Sequence, residues 1–361
     1  MLGLLLYLST IAYIPHITIF FAFIYLIISN YKSRKYKFPM NNDVYIIIII
    51  ILLSILNRLI HIENIQSLKD SIPYIILLLP TYYIAINIKE KALFILINLI
   101  FIEAIVVILE FYFGVSTFFT SLAGYQVFEE NALMYFTRPL GLSENSSDVA
   151  SKLLIGILLI SFLKQKRYVI YLPFLIMALV LTFNRTALIA LSVFYIFIYF
   201  DFITSKIKEY KILFIKVLSI IIVISISVYI IKVFGHNIFM QFTRNNSGIE
   251  LSGRSMIWHT FIEFIKSHIL FGNGSYKLFI PYYEGRMAHA HNSFLELLAT
   301  NGIIIFILYI FLITKDINKD NLKYVITLFL VSMGQYIIFW GISLEDIMLF
   351  YFLKTKIYKK E

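Results

Sequence analysis

Ala288-His289-Ala290-His291-Asn292-Ser293-Phe294-Leu295-Glu296, continued by Leu297 to Gly302 and the apolar run Ile303 to Ile313, is the stretch on which the reading of the fold turns. Residues 292–313 are long and apolar enough to cross a bilayer. Ser293, followed three residues later by Glu296, predicts a capping box and a helix beginning at about Ser293. The two histidines and Asn292 then stand on the helix's N-terminal lip, where free N–H groups and the helix dipole favour negative charge. An anion held there would lie beside an imidazole able to move protons near neutral pH.

The rest of the chain repeats the apolar half of that stretch. Of 361 residues, 60% are hydrophobic and only 14% charged, against roughly 25% charged in soluble domains, and the mean hydropathy is +0.85. Spans read at 2–29 (kinked at Pro15), 43–60, 72–88, 92–113, 148–163, 168–183, 186–201, 212–233, 292–313, 324–341 and 345–353. The fold class is all-α: a polytopic integral membrane protein of about 11 transmembrane helices, within bounds of about 10–12. Residues 1–361 form a single membrane domain, with one large loop, 234–291, contributing to the active site. No basic leader with a small-residue cleavage site opens the sequence. The absence of Cys excludes disulfides, thiolate metal sites and Cys nucleophiles.

A net charge of +10 suggests nucleic acid until the charges are placed. The polar connections 31–37, 89–91, 164–167, 201–211, 314–323 and 354–360 hold 19 of the 31 Lys and Arg. By the positive-inside rule these face the cytoplasm, and the long loops 114–147 and 234–291 face out. Eleven spans then leave the C-terminus inside and the N-terminus outside, so either an upstream segment is missing or residues 1–29 are re-entrant. Arginine departs from this pattern. Arg34 and Arg167 are cytoplasmic, whereas Arg58, Arg138, Arg185, Arg244, Arg254 and Arg286 lie at or near the outer face. Topology needs only positive charge, but a guanidinium grips phosphate in two places. Arginine gathered where topology would rather have none points to a phosphate ligand.

Arg254 opens the run Arg254 to Ile269, whose Ile257, Phe261, Phe264 and Ile265 share one face, as in a helix lying on the membrane or packed over the spans. Phe271-Gly272-Asn273-Gly274-Ser275-Tyr276-Lys277 has two Gly and a Lys but lacks the spacing of a phosphate loop, so it reads as a turn. Arg185 sits between two apolar runs, costly unless it faces a polar cavity, and Asn184 and Thr186 beside it favour the cavity. Arg138 either orders its loop through Glu144 or faces that cavity. His291 is the acid/base candidate, with His289 second. No His-Glu-x-x-His motif or third ligand at helical spacing accompanies them, so no metal is expected. Glu103 and Glu110, acids within a span, either serve function or pair with a cation on a neighbouring span.

Four blocks in this order resemble the O-antigen ligase and O-antigen polymerase superfamily of bacterial inner membranes. They are Arg138 to Asn145, Leu181-Thr182-Phe183-Asn184-Arg185-Thr186-Ala187, Ser252-Gly253-Arg254 with Trp258 through Gly274, and His291 to Gly302. The resemblance covers residues 135–313. Asn184 stands where many family members carry Ser, and Ile304-Ile305 where a Gly often occurs; neither departure touches a charged position. The resemblance implies an inverting, metal-independent glycosyltransferase without cofactor, in the bacterial plasma membrane with its site on the extracytoplasmic side. Its implied partners are an undecaprenyl-diphosphate-linked glycan donor, a glycan acceptor, membrane lipids and other polysaccharide-assembly proteins, with no nucleic acid. Carried over, Arg185 and Arg254 hold the diphosphate and His291 activates the acceptor hydroxyl. Arg138, His289, Asn292, Arg286 and Arg244 are the further substrate-binding candidates.

The leading expectation is a polymerase joining lipid-linked repeat units into capsule, exopolysaccharide or O-antigen. A ligase passing glycan to a separate acceptor shares the same blocks. A lipid-oligosaccharide flippase would show internal repeats and midplane charges, and here no repeat is seen and the arginines crowd one face.

Overall fold

Apolar chain in a solvent without hydrogen-bonding capacity must satisfy its backbone internally, and helix does so within a single segment. The computed structural model describes residues 1–10, 15–32, 41–61, 74–118, 138–143, 145–206, 254–281, 287–339 and 343–355. These are mostly helical, with strand confined to the antiparallel pair β1 (Ile280–Pro281) and β2 (Met287–Ala288). In chain order the helices are α1 Leu2–Leu8, α2 Pro15–Lys32, α3 Asn42–Ile60, α4 Leu78–Asn87, α5 Glu90–Phe113, α6 Ser146–Leu163, α7 Leu172–Leu181, α8 Arg185–Lys206, α9 Arg254–Ser267, α10 Ser293–Thr314, α11 Leu322–Ser332 and α12 Leu344–Lys354. Four of them, α3, α5, α6 and α10, are long and apolar enough to cross a membrane. The span expected at 212–233, and with it Arg244 and Arg286, lies outside the described residues.

Two expectations change. The span read at 2–29 is two helices, α1 and α2, packed on one another, with α2 opening at Pro15, since proline suits a helix start and not its interior. Residues 345–353 belong to α12, whose Leu344 to Leu353 are all buried. It is a core helix. Around it pack α4, α6 and α11, and α8 lies along α11. Phe162, Tyr324, Phe194 and Phe352 meet there ring to ring. The outward faces of α3, α5 and α10 expose Ile49, Leu52, Leu56, Ile95, Ile102, Ile304, Ile307 and Phe311. Such a surface is a liability in water and the expected one against acyl chains, so the chain is a membrane protein.

A buried ion pair crosses between α5 and α6. Glu103 on α5, fully buried, meets Lys152 of α6 at 2.6 Å and accepts hydrogen bonds from Tyr7 OH at 3.1 Å, Ser143 Oγ at 3.1 Å and the Leu142 N–H at 3.2 Å. Glu110, about two turns further along the same face of α5, accepts the Gly141 N–H at 2.6 Å. The two acids therefore serve as a dock for residues 140–143. The pairing reading holds for Glu103, and its partner is a lysine. Removing one member of a buried pair strands the other, so Lys152→Met alone is expected to cost about 3–5 kcal/mol. Lys152→Met with Glu103→Gln should recover most of that in thermal unfolding of the detergent-solubilised protein.

The bundle has two chemically distinct ends. At one, Lys315 after α10 and Lys354 of α12 both reach Asp43 in the first turn of α3, and Lys323 reaches Asp201 of α8. At the other, α6, α8, α10 and α12 all begin. Asn184 before α8 donates to Ser147 of α6 at 3.2 Å. Ser293 of α10 donates to the Gln335 carbonyl at 3.0 Å, and Ser343 before α12 donates to that of Ile337 at 2.6 Å. Four side-chain-capped helix N-termini thus turn the positive ends of their dipoles to one end.

Candidate active site

The site grows from a break in a helix. At Gly302 α10 adopts φ 76° and ψ 177°, a region essentially closed to residues with a Cβ. The break frees the carbonyls of Ala299 and Thr300, which accept the N–H groups of Asn273 at 2.7 Å and Ser275 at 2.8 Å. Ile303 N–H turns the other way and donates to Ile269 at 2.8 Å. The segment read as a simple turn is thus bolted to the broken helix. A Cβ at Gly302 would stand 2.1 Å from the Leu270 carbonyl oxygen, and one at Gly272 2.5 Å from that of Ala299. Gly302→Ala is expected to lose at least about 3 kcal/mol, combining backbone strain with a clash against backbone, and to show it as a lowered melting temperature.

The far side of the turn is held by α3. Asn57 donates to the Phe271 carbonyl at 2.8 Å and to Ser275 Oγ at 3.1 Å. Arg58 donates to the Ser275 carbonyl at 3.3 Å, its guanidinium 4.0 Å from the Tyr276 ring centroid. Arg58, counted from sequence among the outer arginines, is buried as a clamp on this turn.

Clamping the turn delivers Lys277. Its ammonium lies 5.2 Å from the Tyr336 ring centroid and 5.1 Å from that of Phe279. Burial draws its pKa below the usual lysine value, with Glu296 acting the other way. Sequence reasoning passed over Lys277. The only local signal was a lysine just after a Gly-x-Gly turn, and the contacts that place it are some 25 residues away or more.

The two histidines are set by Ala290 between them. Its N–H donates to Glu296 Oε2 at 2.8 Å, and its carbonyl accepts the Trp258 indole N–H at 2.7 Å. Trp258 belongs to α9, whose Ile257, Phe261 and Ile265 bury against α10 and the residues leading into it. The face read from sequence packs over the membrane helix. His291 has φ 48°, a left-handed conformation uncommon outside glycine, though histidine is among the residues enriched there. Its N–H points back to His289 Nδ1 at 3.2 Å, and the two rings stand 4.0 Å apart.

The expected capping box is replaced by a different cap. Asn292 is the N-cap and accepts from the N–H groups of Phe294 and Leu295 at 3.0 and 3.2 Å. Ser293, one residue inside, is turned to Gln335 and Ile337 instead. Glu296 is therefore one residue too far to bond the cap and reaches back to Ala290. The helix starts where the sequence predicts, and Asn292, a substrate-binding candidate, has its side-chain oxygen engaged in the cap.

Electrostatics unites these groups. Burial lowers the His291 pKa to about 4, helped by Arg254 and then Lys277. His289 falls to about 3 by burial, with His291, Lys277 and Arg254 adding to it. Burial, and after it the charges of Arg254 and Lys277, disfavour a second proton on either imidazole. Arg185 stands at the first position of α8. Asn184 is that helix's cap, accepting from Thr186 Oγ1 at 2.8 Å and the Ala187 N–H at 3.0 Å. Asn184 and Thr186 thus form a helix start, where sequence had suggested a polar cavity lining. Thr186 lies against Gly334, whose chain neighbour Gln335 bonds Ser293, and Tyr336 follows with its ring 6.1 Å from His289. This connects Arg185 to the same end of the bundle. Arg138 immediately precedes the loop docked on Glu103 and Glu110, while Glu144 lies outside the described residues.

Residues 170–310, which include Arg185, Arg254, Lys277, His289 and His291, match the family model described as O-antigen ligase. No curated protein and no solved structure matches the chain.

Proposed function

From the premise that residues 170–310 support membership of the O-antigen ligase and polymerase superfamily, whose members are glycosyltransferase-like enzymes, we propose that this membrane protein is a polysaccharide polymerase. It joins undecaprenyl-diphosphate-linked oligosaccharide repeat units by an inverting glycosyl transfer. One arrangement supports the reading: His289 and His291, their rings 4.0 Å apart, stand just before the N-terminus of α10, and the Lys277 ammonium shares the Tyr336 ring with His289.

The chemistry follows from that arrangement. The acceptor hydroxyl attacks the anomeric carbon of the donor, and the carbon–oxygen bond to the diphosphate breaks with its electron pair leaving on phosphate. His291 takes the hydroxyl proton, as a base within hydrogen-bond reach can. Arg254, Lys277 and Arg185 stabilise the charge growing on the leaving diphosphate, fixed in place before the reaction begins. Arg138, His289 and Asn292 are assigned to substrate binding, with Arg244 and Arg286 assigned to the donor by charge alone. The positive-inside rule applied to the lysine-rich loops puts this end of the bundle on the extracytoplasmic face of the plasma membrane. A lipid-borne donor would meet it at the bilayer boundary.

The test is a purified assay with synthetic undecaprenyl-diphosphate repeat units and, separately, a non-lipid-linked acceptor. Growth of a glycan ladder from repeat units alone supports the polymerase; transfer only to the separate acceptor makes the protein a ligase. Movement of donor across a vesicle without bond formation makes it a transporter. The ladder is expected to persist in EDTA, and its loss on chelation would overturn the metal-independent mechanism.

A further inference from the structure

The backbone between the two histidines distinguishes them. The His291 N–H approaches His289 Nδ1 at 3.2 Å. A backbone N–H can only donate, so that nitrogen must present its lone pair, and in a neutral imidazole the proton then sits on Nε2. The donor in this contact belongs to the backbone. The left-handed φ of His291 turns its N–H back on the preceding ring. Ala290 is pinned at its N–H by Glu296 and at its carbonyl by Trp258. Glu296 Oε2 stands 3.9 Å from the same Nδ1, and it takes the Ala290 N–H; it and Nδ1 are both acceptors turned to backbone donors. With Nδ1 engaged, the polar function left to His289 is an N–H on Nε2. Its side chain is 28% exposed, beside Tyr336, whose ring also lies under the Lys277 ammonium.

We propose that His289 is a locked hydrogen-bond donor, its Nε2–H directed to a phosphate oxygen of the lipid diphosphate, and that His291 alone acts as the base. The assignment of a diphosphate rests on the glycosyl-transfer reading above; the tautomer rests on the backbone. Two like residues two positions apart thereby divide a donor role from an acceptor role. The adjoining charges favour this, because Arg254 and Lys277 oppose a second proton on either ring. A neutral donor adds a directed bond to the phosphate without placing a further cation beside the base.

The full-length protein in detergent, with its histidines labelled with nitrogen-15 and His289 identified by the signal lost in His289→Gln, reports the tautomer by NMR. The expected result is one protonated and one bare nitrogen at about pH 6 to 8, with the proton on Nε2. A proton on Nδ1, or a doubly protonated ring at pH 7, overturns the proposal. The second arm measures binding of undecaprenyl diphosphate itself. His289→Ala and His289→Asn should weaken it about tenfold, the effect of one hydrogen bond to a charged group. His289→Gln, whose amide N–H can stand near the lost Nε2, should restore most of the affinity. Equal affinity in all four proteins at equal melting temperature removes the donor role. If binding follows this order while the wild type joins no glycan, the polymerase reading fails and the phosphate donor stands.

Discussion

Replacing His291 by Ala is expected to lower kcat for glycan chain growth by about 10²–10⁴, the loss that follows removal of a positioned general base, in a protein that still inserts and binds donor lipid. The side chain should be tested as Asn too, because Asn accepts the left-handed backbone at this position and Ala resists it. Equal loss in His291→Asn and His291→Ala assigns the effect to the imidazole rather than to the turn. A wild-type ladder from either variant at normal membrane levels would remove His291 from the mechanism. The pH dependence carries a further sign. In the free enzyme His291 is held to about 4, so kcat/KM should stay flat through neutrality and fall only as pH approaches that value. A bound diphosphate brings negative charge that offsets Arg254 and Lys277, which raises the pKa of the imidazole. The acid limb of kcat, which reports the bound complex, should therefore lie at higher pH than that of kcat/KM. Departure of the leaving group adds more negative charge, so the base strengthens as its proton arrives. Coincident limbs would mean that no anion binds next to His291.

What the sequence made legible is what depends on local pattern. The apolar runs, the helix beginning at Ser293 and the packed face of Ile257, Phe261 and Ile265 follow from periodicity and composition, and α10, α9 and their neighbours appear where those patterns lie. What escaped was set by contacts between distant segments. Lys277 looked like the end of a turn because the groups that fix its position, the freed carbonyls at 299 and 300 and the Asn57–Arg58 clamp, come from α10 and α3. Arg58 was miscounted for the converse reason: a guanidinium near the outer boundary has the same sequence signature whether it grips a ligand or a backbone carbonyl. Glu103 was read as either functional or paired with a cation on a neighbouring span, and Lys152 lay unnoticed inside an apolar run. The capping box failed by one residue, since Asn292 and Ser293 are both able caps and the strand of backbone at 335–338 claimed the serine. The local patterns around the proposed site were therefore readable, and the distant contacts that support it were not.

Arg254→Ala should be as damaging as loss of a preorganised charge at a developing anion, about 10²–10³ in kcat. Arg254 has two separable effects. In the proposed mechanism it supplies charge to the leaving diphosphate, and after burial it does most to lower the His291 pKa. Removing a cation beside a titrating imidazole raises its pKa, so Arg254→Ala should shift the acid limb of kcat/KM upward from about 4 toward the ordinary histidine value. Arg254→Lys keeps the charge and loses the planar fork that meets two phosphate oxygens at once. That variant should leave the limb near its wild-type position and still turn over slowly. The pair of variants thus distinguishes charge from geometry: a large kcat loss in both with a displaced limb only in Arg254→Ala is the expected pattern. If Arg254→Lys retained full activity, point charge would suffice and the bidentate grip on phosphate would be wrong. If neither variant moved the limb, Arg254 would not face the imidazole pair during turnover, and the leaving-group charge would fall to Lys277 and Arg185.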